Sequence, residues 1–498
     1  MDGAQTTEKI PDRFDWRGLG RVVLLAFLGA ASFQGSRGLY ESTEGRYAEC
    51  ARETLASGNW GAPILNGHPH WTKPPLTYVA IMAGMRLLGA NPWGVRAYLV
   101  VAMVLAAGGT WWAARVVWGP GAGRWAGVVF ATSPFMAGAA HVVTADMLTV
   151  QWVALATAAF WHGAVRRSAW AWLATGLFLG LALLTKGPPA LLVPMASLPV
   201  AWWVMRGGGA VKIDRWMAVA GLALFLLVGV SWFLYEAMRT PGLLSYWIGD
   251  ELIGRNFRDE FDRNRGFAFV LTDYLPALLL GAGPWIPIVL WRGRRMRDLW
   301  RPDDRRFLPA RAAWISLVAG IVVPFAVFAF SKSKMPLYVA PLFVPLCLGL
   351  GRALDVLVAQ GRLRARTAGI WAGGLLALIV TVKGVWAHLD RPKDMTRLAA
   401  LLEPALARGE FQELYTISRY PRNGLEFHLG RLIESVPVPA FPAHVAGRIE
   451  AGCTAAYLVG QGSWPLLATN VPGPVRQEAL GKHWMLVVAE ADARDRLE

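Results

Sequence analysis

Apolar runs of roughly twenty residues recur along this chain, the length that crosses the hydrocarbon core of a bilayer. Lipid offers backbone groups no hydrogen bonds, so such runs satisfy their own N–H and C=O groups as helices. The sequence places spans at about 20–38, 96–118, 122–141, 147–165, 169–185, 188–205, 216–237, 267–291, 311–330, 336–357 and 368–388. Composition agrees: 55% of the 498 residues are hydrophobic, 17% are charged and 25 are Trp, too apolar for a soluble fold. The fold class is therefore an all-α polytopic membrane protein of about eleven spans. No small-residue cleavage pattern follows the first run, so it reads as an anchor and not a signal peptide.

Positive charge sets the topology. The net charge of +16 is not spread over an aromatic-bearing soluble face, which argues against a nucleic-acid partner; the Arg and Lys residues cluster between apolar runs. The segment 76–88 is apolar but short, opened by Lys73-Pro74-Pro75 and interrupted by Gly84 and Arg86, which suits an interfacial or re-entrant helix. If it does not cross, the clusters at 9–21, 115–124, 166–167, 206–215, 292–311 and 352–366 all fall on one face, the cytoplasmic one. If it crosses, the dense 292–311 loop is forced outside, against the rule. The three cysteines, Cys50, Cys347 and Cys453, lie far apart with no metal spacing and read as packing residues.

In the non-crossing topology four polar stretches, 39–75, 141–146, 245–266 and 331–338, share the outer face and are expected to form one site. The tail from about residue 390 is outside too. Its short apolar runs at 413–417, 455–459 and 484–488 alternate with helix-like segments at 396–407 and 444–450, which predicts a small α/β extracytoplasmic domain over 390–498 beside a membrane domain over 1–389.

The first outer loop, within 39–95, carries the most chemistry. Tyr47, Ala48, Ala51 and Leu55 fall on one helical stripe while Glu49, Arg52 and Glu53 fall elsewhere, which predicts an amphipathic juxtamembrane helix over 44–57 ended by Gly58. Glu41 and Glu44 then sit at the mouth of a helical bundle near several cations, the setting of a functional carboxylate. The alternative is a solvated face in which Glu41, Glu44 and Glu49 pair with Arg46 and Arg52. Asp146 opens an apolar span with no cation beside it in sequence, so its partner must come from elsewhere in the fold; the alternative is a helix N-cap.

The run Glu44-Gly45-Arg46-Tyr47-Ala48-Glu49, followed by Ser57-Gly58-Asn59-Trp60, Asn66-Gly67 and Lys73-Pro74-Pro75-Leu76, resembles the first periplasmic loop of the lipid A aminoarabinose transferases. More widely it resembles bacterial members of the protein O-mannosyltransferase superfamily, glycosyltransferases of the GT-C fold. Thr144-Ala145-Asp146, Leu184-Thr185-Lys186-Gly187-Pro188, Gly283-Pro284-Trp285 and the run from Ser331 through Lys332, Lys334 and Tyr338 to Pro341 agree, so the similarity covers about residues 21–345.

That resemblance implies transfer of a sugar, with inversion, from a polyprenyl-phosphate donor to a glycolipid, glycan or protein acceptor at the periplasmic face of a bacterial inner membrane. A sugar leaving from phosphate needs cations over the leaving oxygens, and a hydroxyl acceptor needs a carboxylate base across the sugar. Lys73, Lys186, Arg255, Lys332 and Lys334 supply candidate cations, and Tyr338 a hydrogen-bond donor; taken singly, Lys332 and Lys334 also suit interfacial snorkelling. Lys73 and Lys186 are each followed by Pro or Gly-Pro, which fixes the backbone. The resemblance adds Arg46 and Tyr47 to the substrate-binding set and makes Glu44, Asp146 and Glu41 the catalytic carboxylates.

The chain departs from the family pattern at two places. Thr43-Glu44 stands where aminoarabinose transferases carry adjacent Asp-Glu, and Thr72 stands where a glutamate precedes their Lys-Pro pair. The first leaves Glu44 or Glu41 as base, or an acceptor that is already ionised; the second removes a metal-ligand candidate. A divalent metal stays open as a cofactor, with no ligand assigned. Two other classes compete: a transporter or flippase of lipid-linked sugars, which should show pseudo-symmetric halves and midplane charges, and a non-catalytic relative.

Overall fold

The computed structural model describes residues 14–207, 214–254, 264, 266–292, 308–469, 471–473 and 475–490. Among them seven helices are long and apolar enough to cross a membrane: Pro92–Trp118, Ala145–Arg166, Pro188–Gly207, Arg215–Arg239, Leu308–Phe330, Pro336–Ala359 and Ala365–His388. The pair Val270–Gly281 and Trp285–Arg292, bent by 72°, makes an eighth if it is one span. The bend falls at Gly283, whose φ is +67°, and at Pro284, whose missing N–H cannot continue a helix. The run at 122–141 is likewise broken: the helix Pro120–Ala131 stops, and Ser133 caps a new one, Pro134–Ala139, by accepting the Met136 N–H. Leu222, Leu227 and Leu234 on Arg215–Arg239 are exposed, as lipid-facing residues are.

The chain divides into two compact units, one of Met1–Ser32, Trp71–Thr77 and Ala97–Lys383, the other of Phe33–His70, Tyr78–Arg96 and Gly384–Glu498. In the first, helices pack in pairs: Leu308–Phe330 on Leu192–Gly207, Ala145–Arg166 on Trp170–Lys186, and Phe343–Ala359 on Pro120–Ala131. Small residues set the closest approaches, because without a hydrophobic drive between helices the backbones must come near enough for dispersion contact. A Cβ on Gly351 would lie 2.4 Å from the Ala126 nitrogen, and one on Gly176 would lie 1.9 Å from the Gly221 carbonyl oxygen. The helix Trp16–Ala31 ends earlier than the apolar run predicts. Its last carbonyls are satisfied by a buried cation, Lys383 Nζ, which donates to Gly29 and Ala30 at 2.9 and 2.8 Å.

In the second unit, the apolar runs at 413–417, 455–459 and 484–488 form the three inner strands of a five-stranded mixed sheet. Its order is Glu434–Val436, Glu413–Ile417, Ala455–Gly460, Trp484–Ala489, Val475–Leu480. Leu414, Ala456 and Leu486 face one layer with Leu398 and Leu402 of helix Met395–Arg408; Tyr415, Tyr457 and Val487 face the other with Phe441 and Val445 of helix Phe441–Glu450. The juxtamembrane helix Thr43–Ser57 ends at left-handed Gly58 and packs on the short helix Asn423–Leu429. The helix Leu76–Leu88 has 13 residues, about 20 Å against a core of about 30 Å. It buries Tyr78, Ile81, Met82 and Met85 as one stripe.

Replacing Gly351 with Ala pushes a methyl into backbone that cannot yield as a side chain would. It should cost about 1–3 kcal/mol, read as a lower thermal midpoint in detergent; an unchanged midpoint would show that the two helices separate freely.

Candidate active site

In the first unit Thr144 caps the helix Ala145–Arg166, its Oγ1 accepting the Asp146 N–H at 3.3 Å, so Asp146 is not the cap. Tyr98 fixes that turn by donating to the Thr144 carbonyl at 2.8 Å. The Asp146 carboxylate is salt-bridged through Oδ1 to Lys186, the last residue of Trp170–Lys186, and Oδ2 makes no hydrogen bond among the described residues. The partner that Asp146 requires is thus 40 residues away. Lys186 Nζ lies 4.8 Å from the Tyr338 ring centre, a cation–π contact that leaves ammonium protons to donate elsewhere.

Lys73 forms a second ion pair, 3.6 Å to Glu251, and donates to the Thr72 carbonyl at 3.0 Å. The Trp247 indole, on the same turn as Glu251, donates to the Trp71 carbonyl at 2.9 Å and packs with Trp71 and Trp232. Four residues beyond Lys73, Thr77 donates to the Thr185 carbonyl at 3.1 Å. One short segment therefore connects both ion pairs, Lys73–Glu251 and Lys186–Asp146. Lys334 is buried and turned onto the Ser331 carbonyl at 2.6 Å, its pKa lowered by desolvation, while Lys332 is exposed.

The second unit holds different carboxylates. Glu44, 2% exposed, receives Arg37 on Oε1 at 2.6 Å and, on Oε2, both Arg96 and the Tyr40 N–H at 3.0 Å. Burial would raise its pKa, but the Arg96 and Arg37 guanidiniums outweigh it and hold the carboxyl at about 2. Arg96 also donates to the carbonyls of Gln34, Arg37 and Gly38 at 3.0, 2.6 and 2.7 Å, so Glu44 is the charge around which residues 34–44 fold. Glu41 is the opposite case. Burial pushes it up to about 7 despite the Gly424 N–H it accepts and the nearby Arg422 charge, and its Oε2 is buried without a hydrogen-bond partner among the described residues. Glu49 is buried and pairs with Arg52 at 2.6 Å, while Tyr47 stacks on Tyr78 at 5.5 Å. Arg46 is half-buried and has no ion pair among the described residues.

Of the residues expected from sequence, the structure thus gathers Asp146, Lys186, Tyr338 and Lys73 within the first unit. Glu41, Glu44, Arg46 and Tyr47 belong to the second, and Arg255 lies outside the described residues. Glu44 pairs with Arg37 and Arg96, not with Arg46, and its helix face is not the solvated one. Three participants go unread in the sequence: Arg37, Arg96 and Glu251. A lone Arg at the head of an apolar run is a signal that points to Arg96. Among the described residues no group of three or more His, Cys, Asp or Glu side chains is placed to hold a metal ion.

The chain is similar in sequence and fold to known proteins. The dolichyl-phosphate-mannose-protein mannosyltransferase family matches residues 37–247. The undecaprenyl phosphate-alpha-4-amino-4-deoxy-L-arabinose arabinosyl transferase of Edwardsiella ictaluri is 29% identical over 70% of this chain and 63% of its own length. The enzyme of that name from Pseudomonas savastanoi pv. phaseolicola is 31% identical over 72% of this chain and 67% of its own. The match thus spans somewhat under two thirds of the Edwardsiella relative's length and about two thirds of the Pseudomonas one's. The crystal structure of ArnT from Cupriavidus metallidurans bound to undecaprenyl phosphate shares the fold, with a TM-score of 0.72 at 22% identity over 95% of this chain and 98% of that one. The fold is that of a multi-pass GT-C membrane protein. The chain belongs to the superfamily of GT-C glycosyltransferases that contains the protein O-mannosyltransferases and the lipid A aminoarabinose transferases.

Opposite pH responses follow from the two second-unit carboxylates. The Glu41 carboxyl binds its proton more tightly folded than unfolded, so its contribution to stability falls as pH rises from about 4.5 to about 7. Glu41→Gln should remove that slope and raise the thermal midpoint at pH 8 by an amount worth about 1–3 kcal/mol. Glu44, depressed, stabilises above about 4.5 and loses that contribution as pH falls through about 2. Glu44→Gln removes the carboxylate that two buried guanidiniums share and should cost about 3–5 kcal/mol. Melting curves from about pH 2 to 8 check both; a parallel slope in Glu41→Gln would refute the assignment of the slope to Glu41.

Proposed function

We propose that this protein is a glycosyltransferase of a bacterial inner membrane that moves a sugar from a polyprenyl-phosphate donor to a glycolipid, glycan or protein acceptor on the periplasmic face, with inversion. The observation that carries the reading is the pair of ion pairs in the first unit. Each holds a lysine in a half-buried setting against one carboxylate, and a single short segment joins them. Similarity to enzymes named for undecaprenyl-phosphate aminoarabinose transfer supports the donor class.

Two pairs suit the two sides of one displacement. The acceptor oxygen attacks the anomeric carbon, the bond from that carbon to the phosphate oxygen breaks, and its electron pair departs with polyprenyl phosphate. Lys73 meets the leaving phosphate. Asp146, oriented by Lys186, receives the proton of a hydroxyl acceptor on Oδ2, while a phosphate acceptor arrives ionised and needs no base. Tyr338 fixes Lys186 through its ring. Glu44, expected as the base, is better assigned to folding residues 34–44, because a carboxylate held at about 2 with every oxygen engaged accepts protons poorly near neutrality. Arg46 and Glu41 carry no assigned step.

The topology belongs to the same proposal. The seven or eight long helices become eleven spans if Trp16–Ala31, Pro120–Ala131 and Trp170–Lys186 also cross, which keeps the Arg-rich loops cytoplasmic and puts residues 390–498 outside as a small α/β domain. Cys453 is half-exposed while Cys50 and Cys347 are buried, so the native chain carries its own probe.

Turnover of synthetic polyprenyl-phosphate sugars, followed by mass spectrometry of released polyprenyl phosphate, tests the reading. Lys73→Ala should weaken donor use about 10- to 150-fold. Asp146→Asn should lose about 10²- to 10⁴-fold with a hydroxyl acceptor and far less with a phosphate acceptor. A membrane-impermeant maleimide should label Cys453 from the periplasmic side. Full turnover by both variants would reduce the lysine to an interfacial anchor, and cytoplasmic labelling of Cys453 would overturn the topology.

A further inference from the structure

Glu251 sits where a phosphate-binding lysine is least expected to have a neighbour of its own sign of ligand. It is 3.6 Å from Lys73, the pair is 19% and 13% exposed, and Tyr246 donates to its Oε1 at 3.4 Å. It lies on the helical turn Trp247–Gly254, which the Trp247 indole anchors to the Trp71 carbonyl, two residues before Lys73. The carboxylate and the ammonium are therefore held by two segments tied to each other. A phosphate within about 3 Å of Lys73 Nζ is also close to Glu251.

The charge of that phosphate changes during the proposed reaction. A sugar linked through polyprenyl phosphate is a phosphodiester with one negative charge, whereas the product is a monoester carrying about −1.5 to −2 at pH 7. Coulomb repulsion is proportional to charge, so a fixed carboxylate opposes the product more than the donor. We propose that Glu251 is a positioning residue for product release: it lets Lys73 hold the monoanionic donor and weakens its grip on the polyprenyl phosphate left after transfer. The proposal rests on the reading of Lys73 as the lysine that meets the donor phosphate. Without Glu251 the same lysine would favour the more highly charged product, and turnover would stall on it.

The test uses the full chain in lipid nanodiscs, with polyprenyl phosphate and its methyl ester as monoester and diester probes. The wild type should bind the two within about 3-fold of each other. Glu251→Gln should tighten the monoester about 10-fold and the diester by 3-fold or less, and lower the multiple-turnover kcat by a larger factor than the single-turnover rate. Glu251→Asp, which keeps the charge, should restore the wild-type ratio. In a Lys73→Ala background Glu251→Gln should no longer alter the ratio. Equal tightening of both probes, or a change that persists without Lys73, overturns the proposal. If Glu251→Gln does not fold, the wild-type ratio still decides: a 10-fold preference for the monoester is incompatible with the role. Wild type that binds neither probe removes the donor reading itself, whereas binding that depends on Lys73 and ignores Glu251 removes this inference alone.

Discussion

A charge taken out of water must find a counter-charge or a set of backbone dipoles, and in lipid the demand is stricter because no solvent can make up the difference. The internal ionic contacts of this protein answer to that demand. Asp146 is met by Lys186, Glu44 by Arg37 and Arg96, and Lys383 by the end carbonyls of Trp16–Ala31. These contacts set where helices end and which turns are rigid. They also leave Lys73 and Lys186 each facing a carboxylate, so both ammoniums are positioned and compensated before any ligand arrives.

Much of the fold is local and therefore legible. Span length follows from bilayer thickness, Gly58 ends its helix where the polar stripe breaks, and the short 76–88 helix is visible from its length and its flanking prolines. The inner strands of the sheet are legible as apolar runs. The edge strands Glu434–Val436 and Val475–Leu480 are not, because half of an edge strand's residues are exposed and polar. Breaks within apolar runs, at Thr132–Pro134 and at Gly283-Pro284, are written in the sequence but outweighed there by hydrophobicity.

The candidate site divides the same way. Asp146, Lys186, Lys73 and Tyr338 are readable because each interrupts or borders an apolar run. The roles of Glu44 and Glu251 are not, since each depends on partners far along the chain: Arg96 is 52 residues from Glu44, and Lys73 is met by a residue from another polar stretch. The family resemblance made Glu44 a candidate base; tertiary pairing makes it the counter-charge of two guanidiniums. The departures from the family pattern fit this picture. Thr43 opens the helix whose first turn holds Glu44, and Thr72 contributes its carbonyl to Lys73, so both positions serve the backbone in this chain.

In the proposed reaction Lys73 and the Asp146–Lys186 pair flank one displacement at the anomeric carbon of a phosphate-linked sugar. A structure of the full chain with polyprenyl phosphate bound tests it most directly. A phosphate oxygen should lie within about 3 Å of Lys73 Nζ, with the Asp146–Lys186 salt bridge intact on the side where the sugar would lie. A phosphate seated elsewhere, with Lys73 unmoved and its Glu251 ion pair unchanged, would contradict it.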